Sequence, residues 1–196
     1  MFALVENGSI TKFFKGNKGV SIGDTQYPKQ IFQWSNEELQ AIGIYPVRID
    51  GSNKKDENYY INTNIDYTIQ DNEVVGSYGT ATAKLLEDTN ATDENGVELD
   101  PVVVIKGLKT IKKEMIDQQC AGLLAPSDWR VIKAKETATT MDSGWKTWRA
   151  SVRTKCNSMQ DQIDGAADVD ALAALFTYTE QEDGSITRPL GEFPEK

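Results

Sequence analysis

Met141-Asp142-Ser143-Gly144-Trp145-Lys146-Thr147-Trp148-Arg149-Ala150-Ser151-Val152-Arg153-Thr154-Lys155-Cys156-Asn157-Ser158-Met159-Gln160-Asp161-Gln162-Ile163 settles half of the architecture. Its apolar positions are Met141, Trp145, Trp148, Val152, Cys156, Met159 and Ile163, separated by four, three, four, four, three and four residues. That spacing draws one stripe along a helix and excludes the period-two pattern of a strand. The stripe is too short and too aromatic for a coiled-coil seam. The expectation is a helical hairpin within the chain. Its partner is read from Val104, Leu108, Ile111, Met115 and Cys120, with Lys106, Lys109, Lys112 and Lys113 on the remaining surface. Gly122 and Ala125-Pro126 end that partner, and Ser127 is placed to cap a short helical turn. Asp168 starts a last helix carrying Val169, Leu172, Leu175 and Phe176.

Upstream the pattern changes to β. Phe2 to Val5 and Ser9 to Phe14 flank Asn7-Gly8, which tolerates the positive φ of a hairpin turn. Gly16 to Gly19 makes a second turn before a strand at Val20 and Ile22. Ser35 with Glu38 three residues on forms a capping box for a helix carrying Leu39 and Ile42, closed by Gly43. Ile44 to Ile49 reads as a strand, and Pro46 places it at a sheet edge or delays its start. Tyr59 to Gln70, Asp71-Asn72 and Glu73 to Ala83 read as a longer hairpin. Within it, Gly76 marks a bulge or a close approach.

The two patterns are separated by 84–103, where Glu87, Asp88, Asp93, Glu94, Glu98 and Asp100 follow Lys84 with no further Lys or Arg. The acids do not fall at EF-hand spacing, so the stretch reads as an acidic linker. The expected fold class is therefore α+β. A β-rich N-terminal region with one short helix covers 1–83, the linker 84–103, a helical region 104–178, and an extended tail 179–196. Linker and tail are too polar to bury their own backbone, which points to a neighbouring chain.

The chain of 196 residues has a net charge of −9, so duplex nucleic acid is not expected as a partner. Glu6-Asn7-Gly8 interrupts Met1-Phe2-Ala3-Leu4-Val5 before an apolar signal core can form. No apolar run approaches the roughly 20 residues of a membrane span, so membrane insertion is not expected either. Histidine is absent, which removes the commonest general base and metal ligand. There is no phosphate-binding glycine loop and no G-x-S-x-G elbow. The expectation is a non-enzyme without cofactor or metal. Cys120 and Cys156 lie on apolar stripes and are expected to be reduced, buried thiols.

The candidates for function cluster instead around Asp128-Trp129 and Trp145-x-x-Trp148-Arg149-x-x-Val152-Arg153, with Phe193-Pro194 near the C-terminal end. Trp145 and Trp148 share a helix face, with Arg149 and Arg153 beside it. Asp128 is placed to pair with a helix arginine, and Arg149 or Arg153 to lie over a ring. With these elements the chain resembles the small tail proteins of tailed bacteriophages, of the tail-fibre or tail-fibre-assembly type. Glu38-Leu39 to Val47, and Tyr59-Tyr60 to Lys84, fit the same pattern. Trp148 stands where that pattern usually has Tyr, and Phe193-Pro194 where it usually has Trp-Pro. The resemblance implies a virion structural protein of the tail, a fibre or baseplate adaptor assembled in the host cytoplasm. Its partners would be other phage tail proteins, present as repeated copies. An assembly chaperone not retained in the virion is the alternative. A protein that binds or cleaves host polysaccharide is a further one. No catalytic residues come with the resemblance.

Overall fold

The computed structural model describes residues 1–196. The chain is α+β, strand-rich first and helical later. It divides into two compact units, Met1–Thr82 and Ala83–Lys196.

In the first unit, β1 (Phe2–Glu6) and β2 (Ser9–Phe14) form the expected hairpin, with Asn7 at φ 51° and Gly8 at φ 75°. A small hairpin follows, β3 (Val20–Ile22) and β4 (Thr25–Tyr27). Helix α1 (Asn36–Ala41) starts on the Ser35–Glu38 capping box, with both reciprocal bonds present. Then come β5 (Ile44–Asp50), β6 (Tyr60–Ile61), β7 (Ile65–Gln70) and β8 (Glu73–Tyr78). The main sheet runs β2-β1-β5-β8-β7.

Strand β5 is therefore central, not an edge. It pairs antiparallel with β1 over Ile44 to Pro46, then parallel with β8 from Val47 onward. Val5 donates to Gly43 and Val47 to Met1 across the β1 ladder. Pro46, opposite Phe2, falls at an alternate position where no donor is used on that side. The β8 ladder begins one residue later. A proline sits in a central strand because the strand changes partners there.

Alternation divides the sheet into two apolar faces. Leu4, Phe14 and Ile44 pack with Val20, Ile31 and Leu39 on one face, covered by α1 and the β3–β4 hairpin. The other face carries Ala3, Val74 and Gly76. Phe13 on β2 and Tyr67 on β7 lie at opposite edges, which in a flat five-stranded sheet would be about 19 Å apart. Their ring centroids are 4.5 Å apart, so the sheet curls into a half-barrel. Gly76 is a close-approach glycine: a Cβ there would lie 2.7 Å from Tyr67, 2.8 Å from Ile65 and 2.9 Å from Ile49.

A two-residue strand, β9 (Thr82–Ala83), marks the junction of the units. The acidic stretch beyond it is not a plain linker. It folds as an arm, with β10 (Thr89–Asn90) antiparallel to β11 (Val104–Ile105) and a further bridge between Thr92 and Glu98. At its tip the Asp93 carboxylate accepts from the Val97 and then the Asn95 N–H group, which lowers its pKa.

Helix α2 (Leu108–Leu124) leads through a short 3₁₀ turn at Ala125–Ser127 into α3 (Asp128–Glu136). Helix α4 (Ser143–Asp164) and α5 (Val169–Phe176) follow, capped by Asp142 and Asp168. Val104 belongs to the arm, so α2 starts later than its apolar spacing suggests, and Ile111 on the expected stripe is exposed. The buried apolar positions are Leu108, Ile116 and Cys120, because the side of α2 facing α4 is offset from that stripe. The expected hairpin of α2 and α4 is present. Lys113 bonds Asp164 at one end and Arg149 reaches the Leu124 carbonyl at the other, so the helices run antiparallel. Val152, Cys156, Met159 and Ile163 line the seam.

The tail is not simply extended either. It contains a hairpin of β12 (Thr179–Glu180) and β13 (Ile186–Thr187), and Leu190 is fully buried. The Leu190 N–H donates to Leu175 and its carbonyl accepts from Lys155. Arm and tail thus find partners for part of their backbone within the chain, without a neighbour. No helix is long and apolar enough to cross a membrane.

Candidate functional site

The aromatic and arginine elements converge at one end of the α2–α4 hairpin. Trp145 and Trp148, three apart on α4, meet edge to face with centroids 5.6 Å apart, a favoured aromatic geometry. Both are half-buried. The Trp148 indole N–H donates to the Pro194 carbonyl at 3.0 Å. Pro194 therefore contributes its backbone, and with half-buried Phe193 it belongs to the segment that closes over α4.

Arg149 points away from the rings. It is 7 % exposed, and Nη1 donates to the Leu124 carbonyl at 2.7 Å and to the Ser127 hydroxyl. Nη2 meets Asp128 at 2.6 Å. One guanidinium thus ties the end of α2, the turn after it and the start of α3. Its charge also lies favourably against the negative end of the α2 dipole. Ser127 does not cap α3. Its hydroxyl donates back to Leu124 and accepts from Arg149. The expected pairing of Asp128 with a helix arginine is present, as a joint between elements.

The cations over the rings are others. The Arg130 guanidinium lies 4.6 Å from the Trp129 centroid and 4.5 Å from that of Trp145. The Lys196 amine is also 4.5 Å from Trp145. Arg149 and Arg153 occupy neither place. Arg130 was legible as the neighbour of Trp129. Lys196 had no local signal, because only the closing of the tail brings it to α4. Arg153 is exposed and lines a groove with Val131, Met141 and Lys146. A second cleft of about 190 Å³ lies between α3 and the following loop, lined by Trp129, Lys133 and Met141.

Helix α3 has no buried residue. Trp129, Val131 and Ile132 are 52 %, 41 % and 56 % exposed, among Arg130, Lys133 and Lys135. The site is an open apolar and basic surface, without a nucleophile held against a base.

Within the hairpin seam, Cys120 and Cys156 are buried free thiols. Burial, then the neighbouring Cys120 and Asp117, pushes the Cys156 thiol up to about 12. Comparison with known protein families, characterised proteins and solved structures gives no match.

Proposed function

We propose that this chain is a structural protein of a bacteriophage tail, a fibre or baseplate adaptor that acts by binding other tail proteins. The observation that carries an assembly role is the arm. Between residues 85 and 105, Val97, Val102, Val103, Val104 and Ile105 are 62 %, 58 %, 50 %, 54 % and 47 % exposed. A run of exposed large apolar side chains of this kind favours an interaction role. The resemblance of the Asp128-Trp129 and Trp145-to-Arg153 elements to small phage tail proteins supplies the setting.

The test is the protein content of purified virions of the phage that encodes the chain. Its presence in stoichiometric amount, with affinity for a fibre or baseplate protein, supports the adaptor. Its absence from virions, with retained affinity for fibre protein, replaces this reading with that of an assembly chaperone. Absence of both rejects it.

A further inference from the structure

Two surfaces of the second unit are left open and complement each other. The arm is apolar and acidic: Val97, Leu99, Val102, Val103, Val104 and Ile105 are all more than one-third exposed. Among residues 85–105 there are six carboxylates and no Lys or Arg. Helix α3 is a nine-residue helix with nothing buried, in which Arg130, Lys133 and Lys135 outnumber Asp128 and Glu136, and Asp128 is tied to Arg149. It displays Trp129, Val131 and Ile132 among Lys133 and Lys135. Exposed Arg153 lies in the groove that Val131 lines.

We propose that α3 is the docking site for the arm of a second copy of this chain. This deepens the assembly reading, on which it rests, by naming one partner as the protein itself. Charge selects this pairing over the obvious alternative, arm against arm. Two arms side by side would bring like charges together, whereas an arm on α3 sets carboxylates against exposed Lys135 and against Lys133, which also lies over the Trp129 ring, beside exposed apolar side chains. The apolar centre supplies affinity and the rim sets register and partner choice. Donor and acceptor are different surfaces, so reciprocal exchange about a two-fold axis closes an isologous dimer, and sequential exchange is heterologous and builds a ring or filament. A specific contact of this kind buries roughly 1,200 Å² or more in total.

The test uses light scattering coupled to size exclusion on the full chain, over a concentration series. The wild type is expected as a multiple of 21.8 kDa. Ile132→Asp on α3 and Val103→Asp on the arm should each weaken association at least tenfold, with unchanged far-ultraviolet circular dichroism and melting temperature. Both positions are exposed, so folding should survive. The double variant Lys133→Glu/Lys135→Glu should also dissociate. Adding Glu94→Lys/Glu98→Lys in the same chain should restore association, which a fold defect would not allow. A wild type that stays monomeric at about 100 μM, or an oligomer indifferent to Ile132→Asp, overturns the proposal. A monomer that is nonetheless found in virions overturns it and leaves the tail role standing. An oligomer that follows these variants, yet neither enters virions nor binds a tail protein, supports the contact and rejects the tail role.

Discussion

Arg149 shows how a surface type of residue becomes structural. Its fork fills three acceptors from three consecutive elements, Leu124, Ser127 and Asp128. Arg149→Ala is expected to destabilise the second unit by about 1.5–3 kcal/mol, the range for hydrogen bonds to a charged group. Arg149→Lys should recover only part, because an ammonium cannot reproduce the planar fork. Asp128→Asn should cost less than about 1 kcal/mol, since that carboxylate is largely exposed. Denaturant melts of the three variants check the order. Cys156 behaves oppositely. With its thiol pushed up to about 12, it should resist a thiol reagent at pH 8 in the native protein and react once unfolded. Reaction of two thiols per chain in the native state at the unfolded rate would contradict this.

At the scale of elements, the root of the arm replaces a helix cap. Gly107 precedes α2 with no side-chain oxygen to offer. The first N–H groups of the helix instead donate to carbonyls of Leu85 and Leu86, at 2.8 and 3.1 Å, and the Gly107 N–H donates to Asp88. These are the donors that every helix start leaves open. The approach is so close that a Cβ on Gly107 would lie 2.4 Å from the Glu87 backbone. Gly107→Ala should therefore displace the arm root, at about 1–3 kcal/mol, the cost of overpacking. Proteolysis within 85–105 should accelerate with it. The bond from Gly107, then one from Thr110, lowers the Asp88 pKa. A carboxyl lowered on folding contributes stability that is present above its unfolded value, about 3.9. That contribution is lost as pH falls through the lower folded value. The arm root should loosen on acidification below about pH 4, and Asp88→Asn should reduce that pH dependence without removing it, because the Glu87–Lys109 ion pair at the same root is also broken by acid. Arm protection from hydrogen exchange measures both.

For the whole molecule, the first unit has its own sheet and its own core of Leu4, Phe14, Val20, Ile31, Leu39 and Ile44. Its curl also packs side chains on the second face, where Gly76 admits Ile49, Ile65 and Tyr67. A fragment of residues 1–82 is expected to melt cooperatively on its own, as domains of this size do. A fragment without a melting transition or dispersed amide spectrum would show that this unit depends on the rest of the chain. The same separation assigns the open surfaces: arm and α3 both belong to the second unit, so association between copies should survive removal of residues 1–82.

Much of this was written locally. The Asn7-Gly8 turn, the Ser35 cap, the stripe of α4 and the Asp168 cap depend on residues within a few positions of each other, so their spacing determined them. The α+β class followed from the change of hydrophobic period. What spacing could not carry was decided by distant partners. Pro46 sits in a central strand because β5 changes neighbours at that point. The buried side of α2 was set by where α4 lies, which moved Ile111 into solvent and Ile116 into the core. Arg149 left the tryptophans because three acceptors lay behind them, and Lys196 took a place over Trp145 because the tail closes there. The sequence by itself determined the class of the fold and those elements with a local signal, but not the hairpins of the arm and the tail. Only the tertiary structure decided which face of each element is inside and which residues remain free to bind, because burial and pairing are properties of neighbours brought together across the chain.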